Sequence, residues 1–313
     1  MFTELAKAFA AYDRIILHRH KNPDGDALGS QIGLKHLLLE NFPGKEVLMV
    51  GDEAGRYSFM EDSVMDQVSD EAFKDALCVI LDCSATHLIS DDRYTLAPKT
   101  LRMDHHLFCV QIAETEVVDT SRESCCGLIT AMAMDLGWKL NPIAAKSLYT
   151  GMITDSGRFR YDATNSNTFR CAAFLREQPF DTEAIFRDLY AEDITHLQNK
   201  AKFLLKIQLS QGGVAYIYTD KEEVASLNMD TFSISRGMVG TMADLKGVDI
   251  WVNFTETDKG VLCELRSNKY NINPIAVKYG GGGHAKASGA TVADRQTAMN
   301  MLRDLELLRE ENQ

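Results

Sequence analysis

Short apolar runs that end in acidic or imidazole side chains recur three times in the first 106 residues. RIILH at 14–18 opens into HKNPDGD at 20–26, ALCVIL at 76–81 runs into Asp82, and the segment at 100–103 runs into Asp104, His105 and His106. Short apolar runs bounded by polar residues read as buried strands, and Pro23 and Gly25 mark the first of these ends as a loop. EVLMV at 46–50 reads as a further strand. Helical spacing follows at Leu28, Ile32 and Leu38, and again over about 124–136 and 142–154. Strands alternating with helices predict an α/β fold, with a mostly parallel sheet and flanking helices. Open sheets of that kind bind ligands at the carboxyl ends of their strands. Acidic strand ends in one sheet therefore converge on one crevice.

A chain of 313 residues has length for two domains. Segment 183–210 is charged, rich in helix formers and free of Gly and Pro, and reads as a linking helix. Gly212 and Gly213 break that pattern, and VAYIY at 214–218 restarts as a strand. Segments 248–254 and 260–266 read as a strand pair, Gly280 to Gly283 form a glycine cluster ahead of His284, and a helix closes the chain at about 294–311. The expected division is a catalytic domain over 1–190, a linker helix over 191–211 and a smaller α/β domain over 212–313.

The formal net charge is −12. A surface that grips long nucleic acid through its phosphates is basic, so long-strand binding is not expected. The charge is uneven: residues 201–313 carry 13 basic and 14 acidic side chains, against 20 and 31 in residues 1–200. Much of that excess is solvated surface, but the strand-end carboxylates are candidates for holding cations. The seven cysteines, Cys78, Cys83, Cys109, Cys125, Cys126, Cys171 and Cys263, form no CxxC pair. Scattered cysteines without zinc spacing suit a reducing cytoplasm. No signal peptide and no stretch long enough to span a membrane is expected.

The pattern His20-x-x-x-Asp24-x-Asp26 combines imidazole nitrogen and carboxylate oxygen, a donor set that suits a borderline-hard divalent ion. Asp24 and Asp26 are also good helix caps, so that pattern alone leaves a structural reading open. Asp82 alone is weak for the same reason. Asp104, His105 and His106 in succession are harder to explain by packing. Asp155 falls at the end of a helical stretch, where an acid opposes the helix dipole. Together these residues form a His/Asp set of the kind that holds two metals about 3.5–4 Å apart and activates water against a phosphoryl group. In the second domain, Gly280 to Gly283 are candidates for an anion nest of backbone N–H groups. Arg266 and His284 supply cationic donors, and arginine pairs bidentately with phosphate.

HKNPDGD, LDCS at 81–84, Asp104-His105-His106 and TDSG at 154–157 follow the order of the four motifs of the DHH phosphoesterase superfamily, and RSN at 266–268 with GGGGHAKASGA at 280–290 resembles the DHHA1 domain that accompanies it. The resemblance covers nearly the whole chain and is greatest to the branch of bifunctional oligoribonucleases and pAp phosphatases. It implies that His20, Asp24 and Asp82 hold one Mn²⁺ and that Asp26, Asp82, His105 and Asp155 hold a second, with Mg²⁺ or Co²⁺ as substitutes. Asp104 would orient His105, and His106 would face the substrate as a catalytic residue beside the bridging Asp82. Arg266, Ser267, Gly281, Gly282, Gly283 and His284 would hold the substrate. The implied reaction is hydrolysis of short oligoribonucleotides, linear dinucleotides such as pApA, and 3′-phosphoadenosine 5′-phosphate (pAp) to mononucleotides, in a cleft that limits substrate length.

Two other readings compete. Pyrophosphatase or exopolyphosphatase chemistry would use the same metals, although the glycine motif favours a nucleotide. A non-catalytic nucleotide sensor would not need a complete metal set. A homodimer is compatible with the sequence.

Overall fold

The computed structural model describes residues 2–106, 110–227 and 229–312. Cys109 lies outside the described residues. The chain forms two compact units, Met1–Ala191 and Glu192–Gln313.

The first unit is built on five parallel strands, β1 (Arg14–His18), β2 (Glu46–Met49), β3 (Leu77–Leu81), β4 (Lys99–Asp104) and β5 (Thr115–Val118), in the order β2-β1-β3-β4-β5. Its helices are α1 (Phe2–Ala11), α2 (Gly25–Asn41), α3 (Cys125–Leu136), α4 (Pro142–Asp155), α5 (Ser166–Leu175) and α6 (Thr182–Tyr190). All five residues of β3 are buried, as a central parallel strand requires. Local chemistry sets the helix ends: Ser124 caps α3 through Gly127 N, and Asn141 caps α4 ahead of Pro142 at its first position. Helices α2 and α4 touch closely, since a Cβ on Gly29 would lie 2.6 Å from the Ser147 carbonyl oxygen. That approach brings Asp26 and Asp155, at opposite ends of the two helices, to the same place.

The charged stretch at 183–210 is not one helix. It breaks at 191–193, where Ala191 turns extended and Asp193 caps a new helix, α7 (Ile194–Lys206), through His196 N. This helix is part of the second unit, with Phe203 in its core, rather than a free linker. The second sheet runs β10-β11-β9-β8-β7-β6, from β6 (Gln208–Leu209), β7 (Ala215–Thr219), β8 (Ile250–Thr257), β9 (Gly260–Ser267), β10 (Gly282–His284) and β11 (Ala287–Val292). Helices α8 (Lys221–Ser226), α9 (Asn273–Lys278) and α10 (Arg295–Glu310) complete the unit. On one face, Met301 and Leu305 of α10 join Val252, Phe254 and Leu265. On the other, Phe203, Ile234, Met238 and Met242 cover Ile217 and Trp251. Among the described residues no helix is long and apolar enough to cross a membrane.

Candidate active site

The loop after β1 is anchored from behind. Arg19 is fully buried and donates from Nε to Gln31 Oε1 at 3.0 Å, from Nη1 to the His20 carbonyl at 3.1 Å and from Nη2 to the Asp52 carbonyl. This holds His20 with its Nδ1 2.8 Å from the Lys21 carbonyl. A proton on Nδ1 in that contact leaves Nε2 facing Asp24 Oδ1 at 3.7 Å and Asp82 Oδ2 at 3.5 Å. Asp24 does cap α2, accepting from Asp26 N and Ala27 N. Capping and facing a cation are thus not exclusive readings of this residue. Asp26 is buried, and its two oxygens accept the Cys125 and Cys126 N–H groups that open α3, at 2.7 and 2.9 Å.

His105 repeats the pattern of His20. Its Nδ1 lies 3.3 Å from the Arg122 carbonyl, and its Nε2 faces Asp155 Oδ2 at 3.3 Å, Asp82 Oδ1 at 3.5 Å and Asp26 Oδ2 at 3.7 Å. His106 puts Nδ1 3.5 Å from Asp82 Oδ1 and 2.8 Å from Asp104 Oδ1. Asp82 is therefore the hub. It is buried, its backbone is left-handed at φ 52°, and Oδ1 has no hydrogen-bond partner among the described residues. A conformation uncommon for a residue other than glycine, kept where three imidazoles meet, is the sort of strain that gathers at functional sites.

The contacts at His20 and His105 test whether this donor set fits divalent cations. Two imidazole nitrogens point into carboxylates at spacings longer than a direct charge-assisted hydrogen bond of about 2.7–2.9 Å. Donors that share one cation at about 2.1 Å sit roughly 3.0–3.4 Å apart, so the spacings suit ligands of common ions. His20, Asp24 and Asp82 form one group able to hold an ion, Asp26, His105 and Asp155 a second, and Asp82, His105 and His106 a third that overlaps them.

The electrostatics agree. Burial pulls His20 and His105 down, but the carboxylates outweigh it and push them up to about 11 and about 10. For His20 these are Asp24 and Asp82, and for His105 they are Asp82, Asp26 and Asp155. Burial, then Asp82 and Asp155, raise Asp26 well above the carboxylate range. Burial lifts Asp155 to about 6, with Asp82 adding to it and His105 opposing. Burial would raise Asp82 too, but the facing imidazoles of His105 and His20 hold it low.

Asp104 does not orient the ring of His105. Its Oδ1 takes the His106 ring at 2.8 Å and the His105 and His106 backbone N–H groups at 2.8 and 3.3 Å, while Oδ2 takes Arg102 Nη2. The partner of the His105 ring is the Arg122 carbonyl, which no side-chain motif could announce. Arg102 is fully buried inside β4, and a charge in an otherwise apolar run was the available signal for a buried ion pair.

In the second unit, Arg266, Gly282, Gly283 and His284 line a pocket of about 420 Å³ with Arg236, Glu264, Ala287, Ser288 and Gly289. Ser267 points elsewhere: it is buried, donates to the Asp249 carbonyl at 2.9 Å and accepts from Lys269 N and Tyr270 N. Alternation along β9 puts it on the face opposite Arg266. Nor do the glycines form a run of free N–H groups. Gly280 N and Gly281 N close α9 on the Val277 and Ala276 carbonyls, and Gly281 is not in the pocket lining. Gly282 and Gly283 pair with β11. At Gly283, φ is 133° and a Cβ would meet the Ala287 carbonyl oxygen at 2.6 Å, so only glycine fits.

Comparison with known proteins matches residues 14–152 to the DHH family, N-terminal domain, and residues 223–310 to the DHHA1 domain. The chain is 34% identical to the bifunctional oligoribonuclease and PAP phosphatase NrnA of Bacillus subtilis, over 100% of both chains. It is 35% identical to the probable bifunctional oligoribonuclease and PAP phosphatase NrnA of Streptococcus mutans, over 97% of this chain and 98% of that one. A solved structure, an exopolyphosphatase-related protein from Bacteroides fragilis, superposes with a TM-score of 0.82 over 97% of this chain and 95% of that one. At 24% identity that likeness speaks for the fold alone.

Proposed function

The chain belongs to the DHH family and carries its DHHA1 domain, and from that premise we propose that it is a two-metal phosphoesterase that hydrolyses short oligoribonucleotides, linear dinucleotides such as pApA, and pAp to mononucleotides. Asp82 carries the reading: a buried carboxylate with an oxygen free of hydrogen bonds, facing three imidazoles, is a donor set that cations would complete.

In this reading His20, Asp24 and Asp82 hold one ion, Asp26, Asp82, His105 and Asp155 hold the other, and Mn²⁺ suits the mixed imidazole and carboxylate donors. Such ions, when bound, lower the pKa of water and offset charge that develops on phosphoryl oxygens. The remaining tasks fall to the chain. The Lys21 and Arg122 carbonyls fix the tautomers of His20 and His105, so that each presents Nε2. Asp104, by its hydrogen bond to the ring, raises the His106 pKa above its ordinary value, against burial. With Nδ1 bound to Asp104, the half-exposed Nε2 of His106 is placed to donate to a phosphoryl or departing oxygen. Arg266 and His284 would grip a part of the substrate that is not cleaved, with Gly282 and Gly283 keeping the wall beside them thin. The six described cysteines are buried and unpaired, and we place the enzyme in a reducing cytoplasm.

The experiment compares release from pAp, pApA, a 5′-phosphorylated trinucleotide, long single-stranded RNA and pyrophosphate, with Mn²⁺ present. Fast turnover of the first three supports the proposal. Preference for pyrophosphate or long RNA would retain the metal chemistry and overturn the substrate.

A further inference from the structure

The pocket of the second unit has an end that its sequence motifs do not announce. Its floor is the outer part of two rows that cross the sheet. One row runs Asn253, Glu264, Gly289, Gly282, and the next runs Trp251, Arg266, Ala287, His284, each residue paired in register with its neighbour. Residues two apart on a strand share a face, so both rows look the same way. Over β8 this face is roofed by Ile234, Met238 and Met242, packed on Trp251. The pocket lies on the same face further along, at Glu264, Arg266 and the small residues of β10 and β11.

Arg236 stands beside that opening, on the π-helical turn Ser233–Gly237. Turns of this type are rare and gather at functional sites. This one is pinned from below: Asn253 is fully buried, and its Nδ2 donates to the Ile234 and Ser235 carbonyls, both at 2.7 Å. The turn ends next to Glu264, whose Oε1 lies 3.4 Å from Arg236 Nε while Oε2 lies 3.2 Å from Arg266 Nη1. One carboxylate thus spaces two guanidinium groups over a floor of small residues. At Gly289 a Cβ would reach within 3.5 Å of Glu264 Oε1, and at Gly282 it would project into open space.

We propose that Arg236 is a substrate-binding residue that works with Arg266 to clamp a terminal, uncleaved phosphate of the substrate, and that Asn253 is the positioning residue that sets its reach. The inference rests on the proposed function. Two guanidinium groups and one carboxylate leave the pocket a net cation, and a phosphate monoester offers three acceptor oxygens to two planar donor forks.

The test uses the Mn²⁺-loaded full chain on three probes: a 5′-phosphorylated trinucleotide, its 5′-hydroxyl counterpart, and bis(p-nitrophenyl) phosphate, which needs the metal site alone. Wild-type enzyme is expected to favour the phosphorylated trinucleotide. Arg236→Ala should raise KM for it about 10-fold with kcat retained and leave the other two probes unchanged. Arg236→Lys should recover part of the loss, since lysine keeps the charge without the fork. Asn253→Ala, with circular dichroism to confirm folding, should show the same KM pattern more weakly. An unchanged KM in Arg236→Ala, or an equal rise for the 5′-hydroxyl probe, overturns the clamp. Wild-type inactivity on all three probes would instead overturn the enzyme reading on which the clamp depends.

Discussion

Asp104 accepts the Nδ1–H of His106 at 2.8 Å and holds the ring beside Asp82, while its other oxygen receives the buried guanidinium of Arg102. The carboxylate thus joins a half-exposed imidazole to a charge that cannot reach water. Its hydrogen bond is the main reason the His106 pKa is raised, so replacing it should lower that pKa. Asp104→Asn is expected to move the alkaline limb of the kcat profile to lower pH, because the ring then loses its proton sooner. It should also cost about 3 kcal/mol of stability by leaving Arg102 poorly compensated. A pH–rate profile and a urea titration measure the two effects. An unmoved alkaline limb would remove His106 as the proton donor.

Asp82 offers a cleaner test of the metal centre. Its left-handed φ of 52° suits Asn better than Ala, since Asn adopts that region several-fold more readily than most residues. Asp82→Asn should therefore keep the backbone and remove only the charge. We expect kcat to fall roughly 10³-fold or more, with Mn²⁺ affinity lowered in a calorimetric titration. Near-normal turnover in this variant would sink the two-metal reading.

Without metal, the site should respond to pH in a defined direction. His20 and His105 are raised to about 11 and about 10, above their unfolded value of about 6.5. Asp26 is raised as well, and Asp155 reaches about 6. Every one of these groups holds protons in the folded state that the unfolded chain has already lost, so stability falls as pH rises. The carboxyl part is lost between about pH 4 and 6 for Asp155, and the histidine part from about 6.5 upward. Chelator-treated protein should show a Tm that declines from pH 6 to 9. Added Mn²⁺ should raise Tm by more at pH 9 than at pH 6, because ligand protons must leave before the ion binds. A Tm that climbs with pH in the chelated protein would contradict the assignment.

Where the chain advertises the fold, it does so through side-chain type at fixed spacing. β1, β3 and β4 are apolar runs with polar ends, and α3 and α4 begin at Ser124 and Asn141, so strand ends and helix starts were legible. The His/Asp set was legible for the same reason. Partners that act through the backbone were not: the Arg122 carbonyl behind His105 carries no residue signature. The break at 191–193 hides between helix formers and shows only as Asp193 capping His196. Strand β5 is short and half-buried at Thr115, Glu116 and Val118, which leaves it without the apolar density of its neighbours. Arg236 stands in a segment without motif and gains meaning only from the turn that Asn253 pins.

The family resemblance puts Ser267 with the substrate residues, yet alternation along β9 puts it on the face opposite Arg266. Its hydroxyl donates to the Asp249 carbonyl at 2.9 Å and accepts from Lys269 N at 3.1 Å and Tyr270 N at 2.8 Å, which closes the turn after the strand. Ser267→Ala should therefore act on stability and leave binding alone. The lost hydroxyl strands the Lys269 and Tyr270 N–H groups, while the Asp249 carbonyl keeps the Asn268 N–H, a cost of about 1–3 kcal/mol, whereas Arg266→Ala should raise KM for short nucleotides with little change in Tm. Parallel thermal melts and Michaelis curves of the two variants separate these roles. A Ser267→Ala enzyme with normal Tm and a raised KM would mean that the hydroxyl turns toward the substrate after all.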